Sequence, residues 1–281
     1  MSRGRSKASG MKDKPSLQEI VDSWAPKRAW DAQYPFVYYF CKPVSFPLTY
    51  LAARLPVTPN QVTFMSYLVA VYSCILLVKG YPNGFLWGAV VFIAFIVVDC
   101  VDGNLARVRG MTSPEGQFLD GLITPFLQPL VFLAVGTGLW LGGPNPQDRL
   151  LAGLAGTGGT GPFLWFVAGS LSAVAFLMTF GVRAGFYARL EERWREVVSP
   201  GGPSNFDRLS TFSSSLPYLI YTNLSRTSTQ APLLLLSALL DAVSFWLLFF
   251  FLMTALELLL NLIVFVRRAL FLARRADPDN S

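Results

Sequence analysis

Asp99, Asp102 and Asp120 stand at the edges of long apolar stretches in a chain that contains no histidine. Acids at membrane depth are costly and mark functional sites. With imidazole absent, metal chemistry falls to oxygen ligands, which favours a hard ion, Mg²⁺ or Mn²⁺. Asp99 and Asp102 are three residues apart, so on a helix they share a face. Asp120 opens the next apolar stretch, and a hairpin through 103–117 would gather the three carboxylates around one or two divalent ions. Gly103 leaves room beside Asp102 for a ligand, Ala106 keeps the same face open, and Arg107 adds a cation suited to phosphate. The implied product is a metal site with a phosphate-sized opening. The plainer alternative is that the acids only pair with Arg107 and Arg109 at a membrane edge.

Of the 281 residues, 53% are hydrophobic and 14% charged. A soluble domain carries about a quarter charged residues, so these acids belong to a membrane protein. The net charge of +6 fits basic cytoplasmic loops better than a nucleic-acid partner. Cys41, Cys74 and Cys100 are isolated in apolar or interfacial sequence and read as packed free thiols.

These acids need elements to hold them. Residues 1–33 form a basic cytosolic tail, and 34–56, where aromatics alternate with prolines, suit an interfacial segment lying among headgroups. Residues 57–268 form the membrane domain, and 269–281 a second cytosolic tail. Spans are expected near 61–79, 84–101, 118–141 and 163–182. Pro125 and Pro129 should kink the third, and 142–161 is a glycine-rich loop. A fifth span near 208–225 and a long sixth within 233–268 complete the layout, although 233–266 could hold two crossings. The absence of a Gly, Pro or turn cluster there favours one. The fold is therefore an all-α, polytopic integral membrane protein, six transmembrane helices preceded by an interfacial helix. Lys and Arg support it, since all but Lys79, Arg149 and Arg226 fall on one side. Both termini and the acid cluster then face the cytosol.

The same residues resemble the CDP-alcohol phosphotransferases, whose pattern is D-x-x-D-G-x-x-A-R, eight residues, G, three residues, D, three residues, D. Asp99, Asp102, Gly103, Ala106, Arg107, Gly116 and Asp120 match in identity and spacing, and Pro59-Asn60-Gln61-Val62-Thr63 is similar to the segment opening that family's first span. The resemblance implies a six-helix membrane enzyme, commonly a homodimer, that moves a substituted phosphoryl group to an alcohol and releases CMP. Its donor would be a CDP-linked alcohol or CDP-lipid, and its acceptor an alcohol or phosphorylated alcohol. Asp99, Asp102 and Asp120 would bind metal and the donor pyrophosphate, while Gly103, Ala106, Arg107 and Gly116 would line the nucleotide pocket.

The family's fourth aspartate, the proposed general base, falls at Thr124. A threonine hydroxyl takes no proton near neutral pH. The acceptor's own phosphate or Glu115 could serve instead, the chain could bind a donor without turning it over, or the base could have been deliberately replaced. Arg183, nearest the membrane edge in a cluster with Arg189 and Arg193, is the candidate for a second phosphate contact, against the reading of a solvated helix extension. A different class is a cation-coupled transporter using Asp241 and Glu257, which otherwise read as helix-interface hydrogen bonds.

Overall fold

The computed structural model describes residues 14–81, 83–142, 161–198 and 216–276. Within its helices the side chains of Glu115, Asp120 and Thr124 lie outside the described set. So do the start of the N-terminal tail, most of the glycine-rich loop, the onset of the expected fifth span and the last five residues. The described residues are helical: α1 (Leu17–Ser23), α2 (Ala25–Asp31), a π-helical turn (Val37–Cys41), α3 (Lys42–Ala52), α4 (Pro59–Val78), α5 (Gly84–Val108), α6 (Pro114–Leu141), α7 (Gly161–Val198), α8 (Leu216–Leu224), α9 (Thr227–Leu239) and α10 (Val243–Ala276).

Among the described residues four stretches are long and apolar enough to cross a membrane: Pro59–Val78, Gly84–Val108, Pro162–Leu190 and Val243–Arg274. The apolar part of α6, Pro125–Leu141, is shorter. Outward faces on these helices are apolar: Phe64, Leu68, Tyr72 and Ile75 on α4, and Leu252, Leu256, Leu259, Ile263, Val266 and Leu270 on α10 are all exposed. Stripes of that length are a liability in water and the ordinary surface of a helix in lipid. This is a polytopic α-helical membrane protein.

The chain divides into two compact units, Met1–Val69 with Ala94–Gly121, and Ala70–Ile93 with Leu122–Ser281. In the first, the expected polar tail is largely helical. Ser16 and Glu19 form a capping box that starts α1, and Ile20 and Trp24 bury themselves against Phe46 of α3. The sequence reading missed these helices because two apolar residues per short helix are diluted by polar neighbours. α3 leaves Val44, Leu48 and Leu51 exposed at helical spacing while Ser45, Phe46 and Thr49 are buried. It is amphipathic, with its apolar stripe outward.

In the second unit α6 runs through Pro125 and Pro129 as one helix. It meets α7 at Gly136 and Gly169, where a Cβ on Gly169 would lie 2.5 Å from the Phe132 carbonyl oxygen. A longer side chain there would force the helices apart. Gln128 accepts from Thr227 Oγ1 at 2.8 Å and donates to Gln230, satisfying a buried polar pair between α6 and α9. α7 packs along α10, with Phe186 and Tyr187 against Phe265 and Arg268 over the Trp194 ring.

The expected long sixth span is divided. α9 ends and α10 begins across 240–242, where Asp241 adopts a φ of 52°. The Ala242 N–H donates to Ser237 O at 2.6 Å and the Asp241 N–H to Ala238 O at 3.4 Å, the pairing of a Schellman turn with aspartate in the place usually held by glycine. Aspartate tolerates the left-handed region better than most residues. A search for Gly or Pro passes over it. Upstream, the described part of the expected fifth span is α8, nine residues long, parted from α9 by Ser225 and Arg226.

Candidate active site

Three local signals build the site, all within the first unit. Thr58 and Gln61 form a reciprocal cap at the start of α4: the Gln61 N–H donates to Thr58 Oγ1 and the Thr58 N–H to Gln61 Oε1 at 2.8 Å, with Pro59 in the first turn. α5 ends in a Schellman turn, where Gly110 has a φ of 64° and the Met111 N–H donates to Ala106 O at 2.8 Å. The chain reverses over 111–113, and Ser113 Oγ accepts from the Gly116 N–H at 3.0 Å to open α6. The sequence thus stops one helix and starts two others at one place.

There a cavity of about 280 Å³ opens. Pro59, Asn60 and Thr63 line it from α4; Asp102, Gly103, Ala106 and Arg107 from α5; Met111, Thr112 and Ser113 from the connection; Gly116 and Gln117 from α6; and Lys27 from α2. Five of the expected site residues, Asp102, Gly103, Ala106, Arg107 and Gly116, are thereby brought together. A Cβ on Gly116 would sit 3.3 Å from Ser113 Oγ and 3.4 Å from Asn60 Oδ1, so glycine lets the starts of α4 and α6 approach. A Cβ on Gly103 would touch the Arg107 guanidinium at 3.4 Å. Helix starts carry a positive dipole end, and with two basic side chains beside them the cavity suits an anion such as phosphate.

The acid at its wall is held rigidly. Asp102 is 5% exposed, and Thr63 Oγ1 donates to its Oδ2 at 2.5 Å. Asp99 is half-buried one turn earlier on α5 and is not among the lining residues. Among the described residues no three Cys, Asp or Glu side chains gather as a metal site, and the third carboxylate of the expected set, Asp120, lies outside them on the first turns of α6. The residue types still fit a hard divalent ion, since an oriented Asp102 and Asp99 on one helix face offer only oxygen ligands. Glu115 and Thr124 belong to α6, and nothing further is described of them.

Sequence reasoning gave no role to Asn104, which is fully buried. Arg107 Nη2 donates to Asn104 Oδ1 at 2.6 Å, and Asn104 Nδ2 donates to Ser45 Oγ of α3 at 2.9 Å. The amide therefore ties Arg107 to α3. Arg109, the plainer alternative's partner for the acids, donates instead to the backbone carbonyls of Ala53, Leu55 and Val57. Lys27, Ser113 and Gln117 were also missed; only Ser113 carried a signal, as a cap before Pro114.

In the second unit Arg183 donates to Glu257 Oε1 at 2.8 Å and to Asn261 Oδ1 at 2.8 Å, and Tyr221 OH donates to the same Glu257 oxygen. The expected helix-interface role of Glu257 is what the structure shows. Asp241 occupies the α9–α10 turn.

A membrane protein with an anion-ready cavity at converging helix ends, walled by an oriented aspartate, is the class that fold and site define. Residues 56–194 match the family model for CDP-alcohol phosphatidyltransferase. The chain is 33% identical over 107 residues to a phosphatidylinositol phosphate synthase of Streptomyces avermitilis, covering 38% of this chain and 42% of that one. It is 34% identical over 100 residues to a phosphatidylinositol phosphate synthase of Cutibacterium acnes, covering 35% and 46%. A bifunctional IPC transferase and DIPP synthase of Rubrobacter xylanophilus is 38% identical over 85 residues, covering 30% and 19%. The chain spans less than half the length of the curated relatives it matches. The match places residues 56–194 in the CDP-alcohol phosphatidyltransferase family.

Proposed function

We propose that the chain transfers a substituted phosphoryl group from a CDP-alcohol to an alcohol acceptor, with release of CMP, in the synthesis of phospholipids or related polar lipids. The observation that carries this reading is the single cavity that joins Asp102, Gly103, Ala106, Arg107 and Gly116 with the opening turns of α4 and α6. The donor's pyrophosphate fits the helix starts and Arg107. Gly103 and Gly116 admit the nucleotide closely, and Thr63 fixes the Asp102 carboxylate. Asp99, Asp102 and Asp120 would hold Mg²⁺ or Mn²⁺, which when bound offsets negative charge on the pyrophosphate. The acceptor oxygen forms a bond to the phosphorus distal to cytidine, the bond from that phosphorus to the bridging oxygen breaks, and CMP leaves with the electron pair. Positioning supplies most of the acceleration.

The acceptor must lose its proton. Thr124 offers no base, so the proton passes to a phosphate on the acceptor itself or to Glu115. The name that two relatives carry, phosphatidylinositol phosphate synthase, favours a phosphorylated polyol acceptor. The amphipathic α3 lies at the headgroup level, both termini and the cavity face the cytosol, and the protein works as a homodimer within membrane lipids. The test is CMP release from a panel of CDP-alcohols, including CDP-diacylglycerol, with Mg²⁺ or Mn²⁺ and with free or phosphorylated polyols. Turnover with one donor establishes the reading. CDP binding without turnover on any pair would make the chain a donor-binding homologue instead.

A further inference from the structure

We infer that Lys27, carried by α2, binds the donor's diphosphate, so that the N-terminal helices complete a site whose remaining parts come from α4, α5 and α6. This rests on the donor-binding reading above. Lys27 lines the same cavity as Asp102, Arg107 and Gly116, although it lies outside the residues that match the family model.

The helix that carries it is anchored rather than loose. Trp24, just before α2, is 7% exposed and donates from Nε1 to Asp31 Oδ2 at 2.7 Å. Asp31, at the other end of α2, is 4% exposed and lies 3.7 Å from Lys42 Nζ. Both ends of α2 are thus tied, through Trp24 against Phe46 and Asp31 against Lys42, to α3. α3 is in turn joined to α5 by Asn104. The placement of Lys27 is therefore fixed by buried contacts on either side of it.

Its neighbours show what is distinctive about it. Arg28 donates to Tyr38 OH at 3.1 Å and lies over the Trp24 ring. Lys42 is buried against Asp31 and Asn104. Among the described residues Lys27 makes no ion pair, and its side chain is exposed at the cavity. Lys27 and Arg107 bring two cations to a cavity that the Asp102 carboxylate also lines, and a diphosphate carries enough charge to engage both.

The test compares CDP and cytidine binding by calorimetry with the full chain in detergent micelles. Lys27→Gln should weaken CDP about tenfold, the scale of one hydrogen bond to a charged group, and leave cytidine unchanged. Lys14→Gln makes the same charge change on the same segment but away from this cavity, and should bind CDP as the wild type does. Because Lys27 is exposed, both variants should melt with the wild type. Wild-type CDP affinity in Lys27→Gln, an equal loss for cytidine, or an equal loss in Lys14→Gln would each overturn the inference. A wild type that binds no CDP would overturn the donor-binding reading itself, and the inference with it.

Discussion

Asp102 combines near-complete burial with a short hydrogen bond from Thr63, so its carboxylate is held in one orientation before any ligand arrives. Removing its charge should remove donor binding, and Asp102→Asn is expected to bind no CDP detectably in calorimetry. Glu257→Gln changes an acid that bonds Arg183 and Tyr221 in the other unit, and should keep CDP affinity. Equal losses in the two would favour cation coupling through the acids over group transfer. Thr63→Val keeps the shape of Thr63 and deletes its donor, so a loss of about threefold to tenfold is expected. Thr124 makes a different prediction. Lying four residues beyond Asp120 on α6, it shares a helix face with it. Thr124→Asp should raise CMP release with a neutral polyol, since a general base contributes about 10²–10⁴-fold. It should help little when the acceptor carries its own phosphate, which already takes the proton and would be repelled by a carboxylate. A wild type fully active on neutral polyols, and unimproved by the change, would place the base elsewhere.

At the scale of elements, helix ends decide both the site and the points where sequence reading fell short. Gly110 ends α5 in a left-handed turn and Asp241 ends α9 in the same way, yet only the glycine is an obvious stop signal. Asp241 sits in a long apolar run, where an acid reads as an intramembrane charge rather than as a turn. The dense motif was legible because its fixed spacing survives any uncertainty in helix boundaries. α1 and α2 were not, since Ile20 and Trp24 become a core only when Phe46 arrives from α3. Asn104 shows the same limit, because its meaning comes from Ser45 and Arg107 and not from its neighbours in sequence. The turn at Asp241 can be tested directly. Asp241→Gly should melt close to the wild type in micelles, whereas Asp241→Val forces a β-branched residue into the left-handed region and should cost about 1–2 kcal/mol. Equal melting of the two variants would show that this turn does not depend on the residue's backbone preference.

For the whole molecule, orientation bears on function, because a cavity that accepts CDP must face the compartment that supplies nucleotides. Charge sorts the connections: Lys79 is the only cation in the short link between α4 and α5, while Arg107, which lines the cavity, and Arg109 stand at the other end of α5. Basic residues are retained on the cytoplasmic side, so the cavity end and the N-terminal helices are expected there and the α4–α5 link opposite. Single cysteines read this out. Gln18 on α1 and Asn83 in the link are both exposed, and each can be replaced by cysteine after Cys41, Cys74 and Cys100 are changed to alanine. Cys41 itself is a poor reporter, since burial, with Cys100 and Asp99 adding to it against Lys42, pushes its thiol up to about 12. In intact cells a membrane-impermeant maleimide should label Asn83→Cys and spare Gln18→Cys, and inverted vesicles should reverse the pattern. Labelling of both from one side would place the two ends of α4 on the same face of the membrane. The charge argument, the crossing by α4 and the cytosolic cavity would then fall together.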